Sequence, residues 1–140
     1  MQFSFAFLAN VAEILIDGRI MAIGMDFEGI FCPQFPITVP LILVTKIKLD
    51  PSEINLQHKC VIEITRPNGK RELLGTENPF DAKANPIDPN LPGGTAIIIK
   101  MGVNFESAGL HLFHVLIDGE EVKSLPLDVR LSNPDVQPTA

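Results

Sequence analysis

The side chains able to do chemistry in this 140-residue chain are few: His58, His111 and His114, Cys32 and Cys60, and scattered carboxylates. His111 and His114 lie three apart, a spacing that on one helix face would converge on a metal ion. On a strand an odd separation sends them to opposite faces. Residues 110–117 read as a strand, so both are expected to be satisfied strand histidines. Cys32, His58 and Cys60 lack the close-spaced ligand pair of a zinc ribbon. Asp81, Asn85, Asp88 and Asn90 offer the hard oxygens that calcium takes, without the dense alternation and closing Glu of a calcium loop. Such Asn and Asp residues usually satisfy their own loop backbone. The acid pairs Glu120 with Glu121 and Asp26 with Glu28 read as solvated edges. No Gly-x-Ser-x-Gly elbow, Gly-x-Gly-x-x-Gly turn or phosphate-loop lysine occurs. With no Trp and no Tyr, and with Phe at core-like spacing, a flat platform for sugars is missing too. The expectation is a non-enzyme with no catalytic residue, no cofactor and no metal.

Charge narrows the partners. The net charge is −6 and the sequence pI near 4.9, which opposes nucleic acid phosphates and anionic lipid surfaces alike. The largest basic group, Lys70 and Arg71 with Arg66 upstream, is too small for a groove footprint. No apolar run approaches the ~20 residues of a membrane span. Residues 1–8 are apolar but lack a basic lead-in, and Glu13 follows too early for an export signal. They read as a strand with Phe3, Phe5 and Phe7 on one face. Two cysteines without a leader point to buried thiols and a cytoplasmic setting.

The elements that must position these residues are strands. Residues 104–131 organise the chain: an apolar run over 110–117, the pair Asp118-Gly119, then a run to Leu131. Asp-Gly between apolar runs is a hairpin signal, because both central residues of the favoured turn take positive φ. Leu125, Leu127, Val129 and Leu131 alternate with Ser124, Pro126, Asp128 and Arg130, the period of a half-buried strand. Asp17-Gly18 and Pro67-Asn68-Gly69 are further turn signals. Over 41–49, Leu43, Thr45, Ile47 and Leu49 face one way and Val44, Lys46 and Lys48 the other. Pro33, Pro36 and Pro40 suggest irregular extended backbone, and 50–53 a turn with proline at its first position. Residues 75–94 carry four prolines and three asparagines with no period, the signature of a long loop. Eight or nine strands without a sustained helical period predict one all-β domain over 1–131, an antiparallel sandwich with a barrel as the second choice. Residues 132–140 read as a disordered tail.

Phe7-Leu8-Ala9-Asn10-Val11-Ala12-Glu13, Asp17-Gly18-Arg19, Ile23-Gly24, Phe35-Pro36 and Val39-Pro40-Leu41 resemble the opening of an uncharacterised family of small bacterial immunoglobulin-like β-sandwich proteins. Phe105, Gly109, Phe113, Asp118-Gly119-Glu120 and Leu125-Pro126-Leu127 resemble its close. Those motifs are structural, so the resemblance implies a fold and no activity. Where immunoglobulin-like sandwiches often anchor a corner with Tyr, His111 stands here.

What remains for function is a surplus of apolar strand faces. If His111, Phe113, Val115 and Ile117 fill the core, then Leu110, Leu112, His114 and Leu116 face outward. Ile98, Ile42 and Val44 add further outward apolar weight, together more than a monomer usually exposes. The expectation is a module that self-associates, or docks a protein partner, through these seven residues. A pocket under the 75–94 loop, serving a small ligand or a reaction, is the alternative, with only Asp81, Lys83 and Asp88 to furnish it.

Overall fold

The computed structural model describes residues 1–132, and over them the chain forms nine strands and no α-helix. In chain order these are β1 (Gln2–Ile14), β2 (Ile20–Met25), β3 (Gly29–Cys32), β4 (Ile37–Leu49), β5 (His58–Thr65), β6 (Arg71–Phe80), β7 (Gly93–Phe105), β8 (Gly109–Ile117) and β9 (Glu120–Leu131). Sheet A runs β2-β1-β4-β7, and sheet B runs β3-β9-β8-β5-β6. Neither sheet closes on itself, so the molecule is a β-sandwich and not a barrel. Every pairing is antiparallel except β3, which adds to β9 in parallel from Gly29↔Asp128 to Cys32↔Leu131. The purely antiparallel expectation fails there because the chain reaches β3 from the far sheet, entering beside β9 in the same direction. Ser132 continues that edge by donating its backbone N–H to the Cys32 carbonyl oxygen; the rest of the expected tail lies outside the described residues. No described helix is long and apolar enough to cross a membrane.

Alternation builds the core. Leu41, Leu43, Ile47 and Leu49 of β4 meet Cys60, Ile62 and Ile64 of β5 and Phe113, Val115 and Ile117 of β8 between the sheets. Each fully buried aliphatic or Phe side chain there is worth roughly 1.5–3 kcal/mol relative to exposure. The N-terminal strand departs from simple parity. The register shifts by one between Phe3 and Phe5, so Phe3 packs on the core while Phe5 and Phe7 turn to the outer face of sheet A. A bulge places two residues against one and flips every later side chain. The Thr45 hydroxyl donates to the Phe5 carbonyl oxygen beside the bulge at 2.9 Å.

The turns follow their residues. Asp118 and Gly119 both take positive φ, 51° and 85°, closing β8 onto β9. At Asp17-Gly18 and Asn68-Gly69 only the glycine does, and hydrogen bonds from Leu15 to Arg19 and from Arg66 to Lys70 frame three-residue loops instead. The long loop is shorter than its composition implies. β6 runs on through Pro79 to Phe80, pairing Lys59↔Pro79 and His58↔Phe80, and β7 begins at Gly93. Pro79 is tolerated because β6 is an edge strand, where a missing N–H leaves no ladder bond unmade. In the remaining loop Asn85 Oδ1 accepts from the Ile87 and Asp88 backbone N–H groups, and Asp88 Oδ1 from that of Asn90. Pro40 likewise lies inside β4, in a stretch that β1 does not reach.

Candidate interaction site

The outer face of sheet B holds half of the expected interface. Leu110, Leu112, His114 and Leu116 do face outward on β8, with Asp128, Pro126, Ser124 and Glu121 opposite on β9 and Thr65, Glu63 and Val61 on β5. Leu110 is 55% exposed, but Leu112 and Leu116 are half-buried and His114 is buried. Polar neighbours cover them. Arg71 of β6 donates from Nε to Glu63 at 3.2 Å and from Nη2 to Glu121 at 3.0 Å. Glu121 Oε1 lies 2.5 Å from His114 Nδ1 without hydrogen-bond alignment, while His114 Nε2 shares a 2.7 Å hydrogen bond with the Thr65 hydroxyl. A four-strand ionic net thus replaces the expected row of bare leucines, and His114 is no free surface.

Ile42, Val44 and Ile98 sit on the outer face of sheet A, across the sandwich from Leu112. The seven residues therefore form two patches, not one. Val44 stands in register with Phe7 on one side and Ile98 on the other and is 0% exposed. It joins Ala9 and Ala12 in a small second cluster ringed by Phe5, Phe7, Ile20, Ala22, Ile42 and Ile98, with the Phe5 and Phe7 rings stacked at 5.7 Å. Long side chains of its own sheet roof it over, so outward parity did not mean exposure.

A cluster of exposed apolar side chains that the sequence reading passed over lies on the β1–β2 hairpin. There Val11 pairs with Ile23 and Glu13 with Met21, so Val11, Met21 and Ile23 share one face, and Met25, opposite Ala9, follows beyond Gly24, where a φ of +62° breaks the alternation. Ile23 is 60% exposed, Met25 50% and Val11 44%. β2 is also the free edge of sheet A, and its run Ile-Met-Ala-Ile-Gly-Met contains no charge and no proline. The edge strand β6, by contrast, carries Arg71, Glu72, Glu77 and Pro79, and β3 spans only four residues. Charge, proline and shortness are ordinary guards against strand addition; β2 carries no charge and no proline, and its one irregularity is the positive φ of Gly24. Beside Met25 a cleft of about 310 Å³ opens among Asn10, Gly24, Phe27, Gly29 and Ile30. Gly24 is needed there, since it takes φ +62° and a Cβ would stand 2.4 Å from Asn10 Nδ2.

The remaining titratable groups are engaged structurally. His58, buried at the start of β5, donates from Nδ1 to Asp118 Oδ2 and from Nε2 to the Glu53 carbonyl oxygen, both at 2.6 Å. A carbonyl and a carboxylate both accept, so the contacts favour the doubly protonated, charged ring. The Asp118 hydrogen bond, then the Glu53 carbonyl, hold His58 above the ordinary histidine range. Burial alone would raise Asp118, but the His58 and Lys59 N–H donors and their charges hold it below the usual carboxylate value. Glu53 in turn accepts from the Asp50 backbone N–H and the Met1 amine, fastening the turn over Pro51–Glu53 to the chain's start. A cleft of about 500 Å³ lies against this cluster, lined by Gln57, Lys59, Glu77 and Pro79.

His111, on the opposite face from His114, donates to the Gly109 carbonyl oxygen at 3.0 Å and sets its ring edge-on to Phe105. Burial pushes its pKa down. Cys32 and Cys60 are unpaired and buried, and burial drives the Cys60 thiol up to about 12. Among the described residues no cluster of three metal-ligating side chains forms, and Cys32, His58 and Cys60 are not brought together as one. Another cleft, about 510 Å³, lies between the free edges of β6 and β7, where Arg66 donates to Glu72 Oε1 and to the Asn104 carbonyl oxygen. Asp81, Lys83 and Asp88 line none of these three clefts.

Comparison with known proteins adds the following. The model of DUF6941, a family of unknown function, matches residues 4–130. No curated protein matches. Among solved structures, an alkylpurine DNA glycosylase (AlkC) of Pseudomonas fluorescens bound to DNA containing an abasic site analog is similar at 16% identity and a TM-score of 0.41. The likeness covers 74% of this chain and 28% of the glycosylase chain, so the chain spans little more than a quarter of that protein.

Proposed function

The chain belongs to DUF6941, a family of unknown function, and from that premise we propose that it is a non-enzymatic β-sandwich module that holds a protein partner against an apolar sheet face, the exposed face of the β1–β2 hairpin. The observation that carries this reading is the exposed cluster of Val11 on β1 with Met21, Ile23 and Met25 on β2, an edge strand that holds no charge and no proline. Covering such a face is favourable by ~25 cal/mol per Å² of apolar area before the cost of association is subtracted. The non-enzymatic half of the reading rests on the engaged state of the reactive groups. His58 has both ring nitrogens donated, His111 is packed on Phe105, and the Cys60 thiol is held protonated by burial. Two unpaired buried thiols support a reducing, cytoplasmic setting. The ladder β9-β8-β5-β6 with a short parallel β3 at its edge supports an immunoglobulin-like sandwich.

The test is a photo-crosslinking side chain placed in turn at Ile23 and at Leu112 in cells. Protein adducts from position 23 and few from position 112 are expected. Adducts from position 112 alone, or none from 23, overturn the assignment of the face.

A further inference from the structure

Building on that reading, we propose that the partner is a second copy of the chain, joined by antiparallel pairing of β2 with β2 of the partner subunit about a two-fold axis at Ile23. An antiparallel strand pair is its own mirror in pairing: the same edge serves both copies, and the interface closes without leaving a free edge. Centring the axis on Ile23 sets Ile23 against Ile23 of the partner subunit and Met21 against Met25 of the partner subunit. Side chains directly opposite one another share a face. The apolar face of Val11, Met21 and Ile23 then meets its copy at the axis, whereas a one-residue slip would set Ile23 against Gly24.

Charge says why the occupant is another copy and why the strands run antiparallel. β2 starts beside Arg19, and its other end is followed by Asp26 and Glu28. Antiparallel pairing brings the basic start of one strand to the acidic end of the other, twice over. Arg19, just before β2, then lies toward the end of β2 of the partner subunit that Asp26 and Glu28 follow. A parallel pairing would set like charges together. In the single chain Arg19 is committed only to Asp17 in its own turn, an exposed pair 2.5 Å apart. Such exposed pairs are worth little, so Arg19 is cheaply redirected. The chain's net charge of −6 opposes association elsewhere on the surface, while β2 itself is uncharged.

Sedimentation velocity on the full chain from about 1 to about 200 µM, a range in which micromolar association is visible, tests the pairing. A monomer–dimer equilibrium is expected. Ile23→Lys, at an exposed position with a melting curve as folding control, should weaken it about 100-fold. Arg19→Glu and Glu28→Arg should each weaken it about tenfold, and the two together should restore it. Backbone amides of β2 should exchange more slowly as concentration rises. A strict monomer whose Ile23 crosslinks to a foreign protein overturns the second copy and leaves the hairpin face standing as a docking site. A dimer lost in Ile23→Lys without β2 protection or charge rescue likewise overturns the strand pairing alone. A dimer indifferent to Ile23→Lys but dissolved by Leu112→Glu overturns both.

Discussion

Outward-facing apolar side chains stand on both sides of the sandwich, yet Leu112, Leu116 and Val44 are covered while Val11, Met21, Ile23 and Met25 of the β1–β2 hairpin are all exposed. On sheet B, half-buried Leu112 and Leu116 share their face with Glu63, Arg71, Glu121 and His114, which contact one another across four strands. In the middle of sheet A, Phe7 and Ile98 close over Val44. At the hairpin no third strand flanks β2, so nothing folds across Ile23 and Met25. Exposure is thus set by the neighbours in the next strand, and an edge lacks half of them. Val44 and Ile23, both outward-facing, should respond oppositely to a charge. Val44→Asp buries an unpaired carboxylate and is expected to cost about 4 kcal/mol or to prevent folding. Ile23→Lys should cost under about 1 kcal/mol. Urea unfolding of the two variants measures both, and comparable losses would mean that the two sites are equally covered.

A second contrast is in polar ties. Sheet B is clamped at one end by the His58 ring between Asp118 and Glu53, whereas no charged group lies within β2. His58→Ala strands the Asp118 carboxylate and the Glu53 carbonyl, at about 2–3 kcal/mol. The clamp also carries a pH signature. His58 is raised when folded, so its contribution is complete below its unfolded value of 6.5 and is lost as pH rises through the higher folded value. Asp118 is lowered, so its contribution is present above its unfolded value of 3.8 and is lost as pH falls through the lower folded value. The contact is at full strength between 3.8 and 6.5. Melting temperature should therefore fall from pH 6 toward alkaline pH, and Asp118→Asn, which keeps a residue suited to positive φ, should flatten that fall at a cost of about 1–2 kcal/mol. Self-association through Ile23, measured at the same pH values, should not follow it. A parallel loss of both would tie the hairpin to the clamp.

Much of this architecture was legible from residue order. Period-two runs gave the strands of both sheets, Asp118-Gly119 gave the central hairpin, and the odd spacing of His111 and His114 put them on opposite faces. What parity could not read was context. The one-residue bulge before Phe5 reverses Phe5 and Phe7 with nothing in the letters to mark it. Pro79 reads as loop unless β6 is known to be an edge. His58 and Asp118 are 60 residues apart, and only their meeting makes a clamp. The hairpin face was overlooked for a different reason: Ile-Met-Ala-Ile-Gly-Met has little alternation, and its exposure comes from the missing neighbour, a property of sheet order.

The smallest expected effect concerns the ionic net that distinguishes sheet B. Glu121 touches both Arg71 and His114, so Glu121→Gln keeps its shape and removes its charge from two contacts at once. Both Arg71 and Glu121 are more than two-fifths exposed, and water already screens most of their attraction. The loss in unfolding free energy should stay below about 1 kcal/mol and should shrink further in about 1 M salt, where the Debye length is near 3 Å. Half-buried Leu112 and Leu116 should remain covered, because the substitution keeps the length of the side chain at 121 and leaves Arg71 in place. An apolar-surface dye that brightened on Glu121→Gln without unfolding would show that charge, and not stem packing, is what shields this face, and would make it a docking surface as open as the hairpin.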